Sequence, residues 1–146
     1  MKMSTKGRYG LRVMIELAAR YGHGPVLVET IATSQGISGK YIHVLVSGLR
    51  AAGLVRTVRG PSGGYELARK PSTVSAFDVI SALEGRNAPV NCVLEASCCS
   101  RATRCAARDL WCEIAAAVDG VLSGVTLDRL AARQRNKQGE PADFCI

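Results

Sequence analysis

Five consecutive residues, Gly60-Pro61-Ser62-Gly63-Gly64, can only form a turn. Three glycines and a proline suit neither a helix interior nor a central strand. Before them Leu54-Val55-Arg56-Thr57-Val58-Arg59 alternates apolar and polar residues, as a strand does; after them Tyr65-Glu66-Leu67-Ala68 reads as the returning strand. The chain therefore carries a basic β-hairpin, and whatever precedes it must be short. Tyr9, Val13, Leu17 and Tyr21 recur every four residues and mark a first helix, which Gly22-His23-Gly24-Pro25 stops. A second helix is expected over about residues 28–35, with Ile31 and Ala32 inward and Gly36 at its end. Ser38 can cap a third, whose buried stripe continues through Leu45, Leu49 and Ala52 to Gly53. Two short helices joined by a tight glycine turn and followed by a hairpin make a winged helix-turn-helix.

Pro71 marks a boundary. Thr73 or Ser75 can cap a helix through Phe77, Ile80 and Leu83 that ends at Gly85. A cysteine-bearing loop over about 86–104 then leads to a long helix with apolar residues at Leu110, Ile114, Val118, Val121 and Val125, and Trp111 beside them. An exposed seam of this kind most simply pairs two subunits. Thr126-Leu127-Asp128-Arg129-Leu130 reads as a short capped turn of helix, and the chain is polar from Arg133 onward. The expected organisation is a winged helix-turn-helix domain over 1–72, a short helix, cysteine loop and dimerisation helix over 73–132, and a flexible tail over 133–146. The fold class is mainly α with a small β-hairpin wing.

Charge separates the two halves. Residues 1–70 hold 11 Lys/Arg against 3 Asp/Glu, whereas 71–146 hold 8 against 9. A basic first half joined to a neutral second half is the footprint of a nucleic-acid-binding domain. In a helix-turn-helix the start of the second helix meets base edges, which here presents Ser38, Lys40, Tyr41, His43 and Val44. Lys40 and Tyr41 can meet phosphate or a base, His43 can donate to a base acceptor, and Arg50 lies farther along toward the backbone. Ser4, Thr5, Lys6 and Arg8 can grip phosphates at the start of the first helix. In the wing, Arg56, Arg59, Gly60, Ser62 and Gly63 sit where backbone or minor groove would run. The N-terminus lacks an apolar signal core and no apolar run would span a bilayer, so a cytoplasmic location is expected.

No cysteine occurs before Cys92, and five lie between Cys92 and Cys112. In a reducing compartment such clustering points to a metal, an iron–sulfur cluster or a redox switch. Zinc is disfavoured by the absence of paired C-x2-4-C spacing. An iron–sulfur redox protein is a rival from another class, but C-x-x-C and a nucleotide-binding glycine fingerprint are both missing. Asp109 and Glu113, one helical turn apart, read as a solvated face and not as catalytic carboxylates, so no enzyme is expected.

Ser4-Thr5-Lys6-Gly7-Arg8-Tyr9-Gly10-Leu11, Ala52-Gly53-Leu54-Val55 and Arg59-Gly60-Pro61-Ser62-Gly63-Gly64-Tyr65 closely resemble the Rrf2 family of bacterial regulators, over about residues 2–132. The resemblance implies a homodimer, usually a repressor, that binds palindromic promoter DNA and crosses its long helices at the dimer interface, here through Leu110, Trp111, Ile114, Val118 and Val121. Cluster-binding members carry three cysteines between the short and long helices. Cys92, Cys98 and Cys105 match best, with Cys99 a rival for the middle place; the spacing C-x5-C-x6-C is one residue longer than usual. The implied cofactor is an iron–sulfur cluster, 2Fe–2S first and 4Fe–4S as the alternative. Where one branch has a ligating histidine this chain has Arg108, and where another has an N-terminal acid it has Arg8, so the fourth ligand is open among Cys112, Cys99, Glu95 and a residue of the partner subunit. Cys112 can share a cluster with Cys105 only if Cys105 precedes the long helix. Arg101, Arg104 and Arg108 would offset the negative charge of thiolates or of a cluster. The ending Phe144-Cys145-Ile146 is similar to the cysteine-metabolism branch, which implies cysteine synthase as a possible partner engaging Ile146.

Overall fold

The computed structural model describes residues 3–86 and 88–139. The first helix, α1 (Thr5–Ala19), begins where the Ser4 hydroxyl accepts the Gly7 N–H at 3.1 Å. Its buried stripe is Val13, Met14, Leu17 and Ala18. The helix stops at Ala19, so Tyr21 lies beyond it and is exposed, which removes it from the expected stripe. The second, α2 (Val28–Gln35), ends on Gly36 in the left-handed region at φ 62°. Ser38 then accepts the Tyr41 N–H at 3.2 Å and starts α3 (Gly39–Ala51). Ile42, Leu45, Val46 and Leu49 of α3 are buried, but Ala52 is exposed, because the chain turns at Gly53 to enter the hairpin.

Strands β1 (Val55–Val58) and β2 (Gly64–Leu67) pair antiparallel with Val55 opposite Leu67, Arg56 opposite Glu66, Thr57 opposite Tyr65 and Val58 opposite Gly64. Alternation places Val55, Thr57, Tyr65 and Leu67 on the inner face and Arg56 and Glu66 on the outer one. Tyr65 also exchanges both backbone hydrogen bonds with Val26, at 2.9 and 2.8 Å, which ties the wing to the segment before α2. The first expected strand is shortened from six residues to four, and the second is shifted by one, so that Gly64, expected in the turn, opens β2 and Ala68 falls outside it.

After a 3-10 turn at Pro71–Thr73, Ser75 and not Thr73 caps α4 (Ala76–Glu84), in a capping box with Asp78. The cysteine segment is not a plain loop. It contains a one-turn helix, α5 (Asn91–Leu94), and 3-10 turns at Ala96–Cys98 and Ala102–Arg104. Helix α6 (Ala106–Ser123) follows; it buries no residue fully, and Val125 falls outside it, in the link to the last helix. The short turn expected at 126–130 is instead the start of α7 (Leu127–Gly139), which runs into the segment read from sequence as a tail. Leu127 and Ala131 are buried, Leu130 packs against the same core, and α7 lies against α1, so a few apolar side chains hold a helix that is polar toward its end. Backbone bonds from Ala76 to Val125 and from Leu127 to Val74 fasten the start of α7 to the start of α4.

One hydrophobic cluster joins α1, α2, α3, the hairpin, α4 and α7, and so runs across residue 72. Each fully buried aliphatic side chain in it contributes about 1.5–3 kcal/mol. Helix α6 lies outside this cluster, alongside α4 and α5. Among the described residues no helix is long and apolar enough to cross a membrane.

Candidate nucleic-acid interface and cysteine lobe

The candidate DNA-contacting residues come from three places. At the start of α1, Lys6 and Arg8 are exposed, and the Arg8 and Arg12 guanidiniums lie 5.9 and 5.2 Å from the Tyr9 ring centre. Ser4 is engaged internally: besides capping α1, its hydroxyl donates to Glu84 Oε1 at 2.6 Å and its N–H to the same oxygen at 3.1 Å. A carboxylate from α4 therefore already meets the positive end of α1. Thr5 accepts from Arg8 Nη2 at 3.2 Å.

On α3 the Ser38 cap, Lys40, His43 and Val44 are exposed, and Tyr41 is half-buried with its ring edge-on to Tyr9 at 6.1 Å. Val44 is 54% exposed, an apolar side chain left in solvent on a helix whose other apolar residues are mostly buried. His43 Nδ1 lies 2.7 Å from the Tyr65 hydroxyl, and Arg50 Nη1 reaches the Thr57 hydroxyl at 3.4 Å. The recognition helix is thus bonded to the inner face of the wing. Tyr65 went unnoticed as a functional residue in sequence; its signal was its alternation with Leu67, which places it on the face turned to α3.

In the wing, Arg59, Gly60 and Ser62 are exposed at the turn, whereas Gly63 is buried and donates to the Gly60 carbonyl at 3.0 Å. A Cβ on Gly63 would come within 2.3 Å of the Val58 carbonyl oxygen, so this glycine shapes the turn. Arg56 stands on the outer face in an ion pair with Glu66 at 2.7 Å, which offsets its charge.

Among the described residues the thiols occupy one lobe between α4 and α6. Cys92 on α5 and Cys105 at the N-cap of α6 are half-buried; Cys98 and Cys99 are exposed; Cys112 is half-buried, two turns along α6. Cys105 does precede the helix, as sharing a site with Cys112 requires. Arg108 Nε donates to the Cys92 carbonyl at 2.8 Å and so ties α5 to α6. Glu95 accepts from Ser97 at 2.9 Å. Arg101 and Arg104 line an open cleft beside Cys105. Thiolates suit iron–sulfur ligation in kind. Among the described residues, however, no three cysteine, histidine or carboxylate side chains converge on one point. The donor set suits a cluster in kind, while the arrangement described brings no complete ligand set together.

Along α6, Leu110 is 50% and Val121 69% exposed, while Trp111, Ile114 and Val118 are half-buried. Val118 and Leu122 face Phe77 and Ile80 of α4 across a narrow cleft. Ile146, read as a contact for cysteine synthase, lies outside the described residues.

The family model described as "Rrf2: Iron-dependent Transcriptional regulator" matches residues 3–133. The transcriptional regulator CymR of Bacillus subtilis is 46% identical over 94% of this chain and 95% of its own length. Its solved structure, described as that of the global cysteine regulator, superposes with a TM-score of 0.77 at 44% identity, over 91% of this chain and 98% of that one. The structure of IscR from T. potens has a TM-score of 0.79 at 33% identity, covering 100% of this chain and 97% of that one. The oxidised form of Staphylococcus aureus CymR has a TM-score of 0.72 at 40% identity, over 90% and 96% of the two chains.

Proposed function

The chain belongs to the Rrf2 family of DNA-binding transcriptional regulators, a class without catalytic activity, and from that premise we propose that it is a cytoplasmic, homodimeric repressor. It reads a palindromic promoter sequence, and its cysteine lobe is the sensor. The observation that carries the reading is the bonding of α3 to the wing, which leaves Lys40, His43, Val44 and Arg59 exposed on a unit held by His43–Tyr65 and Arg50–Thr57. Lys6, Arg8 and Arg59 supply phosphate contacts, and the start of α3 supplies base contacts. The excess of basic residues in 1–70 makes the affinity salt-dependent.

In the lobe, Cys92, Cys98 and Cys105 would hold an iron–sulfur cluster, 2Fe–2S or 4Fe–4S, in keeping with the iron dependence in the family's description. When bound, such a cluster supplies a redox-sensitive cross-link. The chain's own residues do the rest. Arg108 fixes α5 to α6, Arg101 and Arg104 balance negative charge beside Cys105, and the α4–α6 contact carries the lobe's state to the core.

A second reading has its own support. The relatives include a global cysteine regulator and a CymR in an oxidised form, and Arg108 stands where a ligating histidine is found in one branch. In that reading the exposed Cys98 and Cys99 act as a thiol switch, or cysteine synthase engages Ile146, in control of sulfur metabolism. Purification without oxygen, followed by visible absorption, iron and acid-labile sulfide, separates the two. Colour and both elements, lost in Cys92→Ala, Cys98→Ala or Cys105→Ala, are expected for the cluster. A colourless protein after reconstitution leaves the thiol switch or the partner enzyme, the latter tested by a pull-down with and without Ile146.

A further inference from the structure

Tyr65 is held in the wing by its backbone and by its hydroxyl. Its backbone is clipped to Val26 on both sides, and the place of a Cβ on the preceding Gly64 is filled by the Val26 carbonyl, 2.2 Å away, so this strand cannot slide. Its cross-strand partner Thr57 is held from α3 by Arg50. The Tyr65 hydroxyl is thus a fixed point beside the recognition helix, 2.7 Å from His43 Nδ1, with the two rings edge-to-face at 5.9 Å.

Two arrangements of this bond exist for a neutral imidazole. A phenol is the better proton donor of the pair and an imine nitrogen the better acceptor, so the Tyr65 O–H donates into Nδ1 and the ring proton sits on Nε2. Among the described residues Tyr65 is the only hydrogen-bond partner of the His43 ring, and His43 is exposed early in α3. Its free nitrogen is therefore a donor.

We propose that Tyr65 is a specificity-determining residue: by fixing the tautomer of His43 it makes that side chain a donor only, and so selects a base pair presenting acceptors in the major groove. Guanine fits best, because both N7 and O6 accept, and cytosine is rejected because its N4 amine also donates. The inference rests on the DNA-binding reading and adds to it a residue that itself touches no base. Without the Tyr65 hydroxyl either tautomer is available, and His43 can turn an acceptor toward a cytosine or adenine amine.

The test uses the full-length dimer. A binding sequence is selected from random duplexes by the wild type, and each base pair is then replaced in turn. Tyr65→Phe keeps the ring and both backbone clips. With folding checked by circular dichroism and affinities normalised to random DNA, it is expected to lose roughly tenfold in guanine-over-cytosine preference at one base pair per half-site. His43→Ala should lose preference at the same pair, and the double variant should be no worse than His43→Ala alone. Nitrogen NMR of the unbound wild type should find Nδ1 without a proton, and Tyr65→Phe should shift the ring toward a mixture. Unchanged discrimination in Tyr65→Phe, an even loss at every position, or a proton on Nδ1 would overturn the assignment. Failure of the wild type to bind any duplex would instead overturn the DNA-binding reading, and this inference with it.

Discussion

Gly10 shows how one residue can be visible in a sequence without its reason being so. A glycine inside a helix costs about 1 kcal/mol relative to alanine, and nothing in the Ser4–Leu11 stretch offsets that. The offset comes from α4: a Cβ on Gly10 would lie 2.0 Å from Leu83 Cδ1, while the other methyl of Leu83 is 3.3 Å from the place of a Cβ on Gly48. Leu83 is 6% exposed and wedged between α1 and the recognition helix, so it has nowhere to retreat. Gly10→Ala is expected to destabilise the protein by about 1–3 kcal/mol through overpacking, and Leu83→Ala by about 2–5 kcal/mol through the space it leaves. The double variant should lose clearly less than the two together, because each change relieves the other; urea denaturation of all four proteins checks this, and simple additivity would refute the wedge. The start of α3 was legible because a Ser cap and a glycine turn locate it. The Ser4–Glu84 and His43–Tyr65 pairs were not, since they join residues 80 and 22 positions apart and only the folded chain brings them together.

Elements with a periodic apolar stripe, a cap or a terminal glycine were readable, as in α1, α2, α3, α4 and α6, whereas α7 and the turns of the cysteine lobe were not. Helix α7 buries only Leu127 and Ala131, too sparse a pattern to separate from a polar tail, and its existence depends on the surface α1 offers. The turns of the cysteine lobe, three or four residues each, span about one helical period and leave no repeating pattern to read. The start of α7 makes a pH-dependent prediction. The Thr126 hydroxyl donates to Asp128, and this bond, with the backbone N–H groups of the first turn, holds the Asp128 carboxyl below its ordinary 3.8. A lowered value in the folded state means that the stabilisation is complete above 3.8 and is lost as the pH falls through the folded value. Asp128→Asn should therefore flatten the acid side of the melting-temperature profile, and the effect should be small because the group is fully exposed. An unchanged acid limb would show that the bond does not persist in solution. Ser75→Ala, which removes the capping box of α4, should cost about 1 kcal/mol in urea denaturation.

At the scale of the whole molecule, α6 is the helix that the core does not explain. Its eighteen residues carry an apolar seam, yet not one of them is fully buried, and Leu110 and Val121, about three turns apart on the same face, are 50% and 69% exposed. One side of the helix rests on α4 through Val118 and Leu122; the other is the face proposed to pair with a second copy. Each subunit carries one core that joins the winged helix to α4 and α7, and its first half is net positive, so breaking the pairing should leave each subunit able to touch DNA but unable to span two half-sites. Leu110→Glu and Val121→Glu are expected to sediment as monomers with unchanged helix content by circular dichroism. Their affinity for a single half-site should match the wild type, whereas affinity for the full palindrome should fall by about 100-fold or more, the loss of effective concentration when two linked sites become independent. A dimeric mass in both variants would place the subunit contact elsewhere. An equal loss on half-site and palindrome would mean instead that α6 supports the winged helix from within its own chain, with the lobe's signal passing through the α4 contact alone.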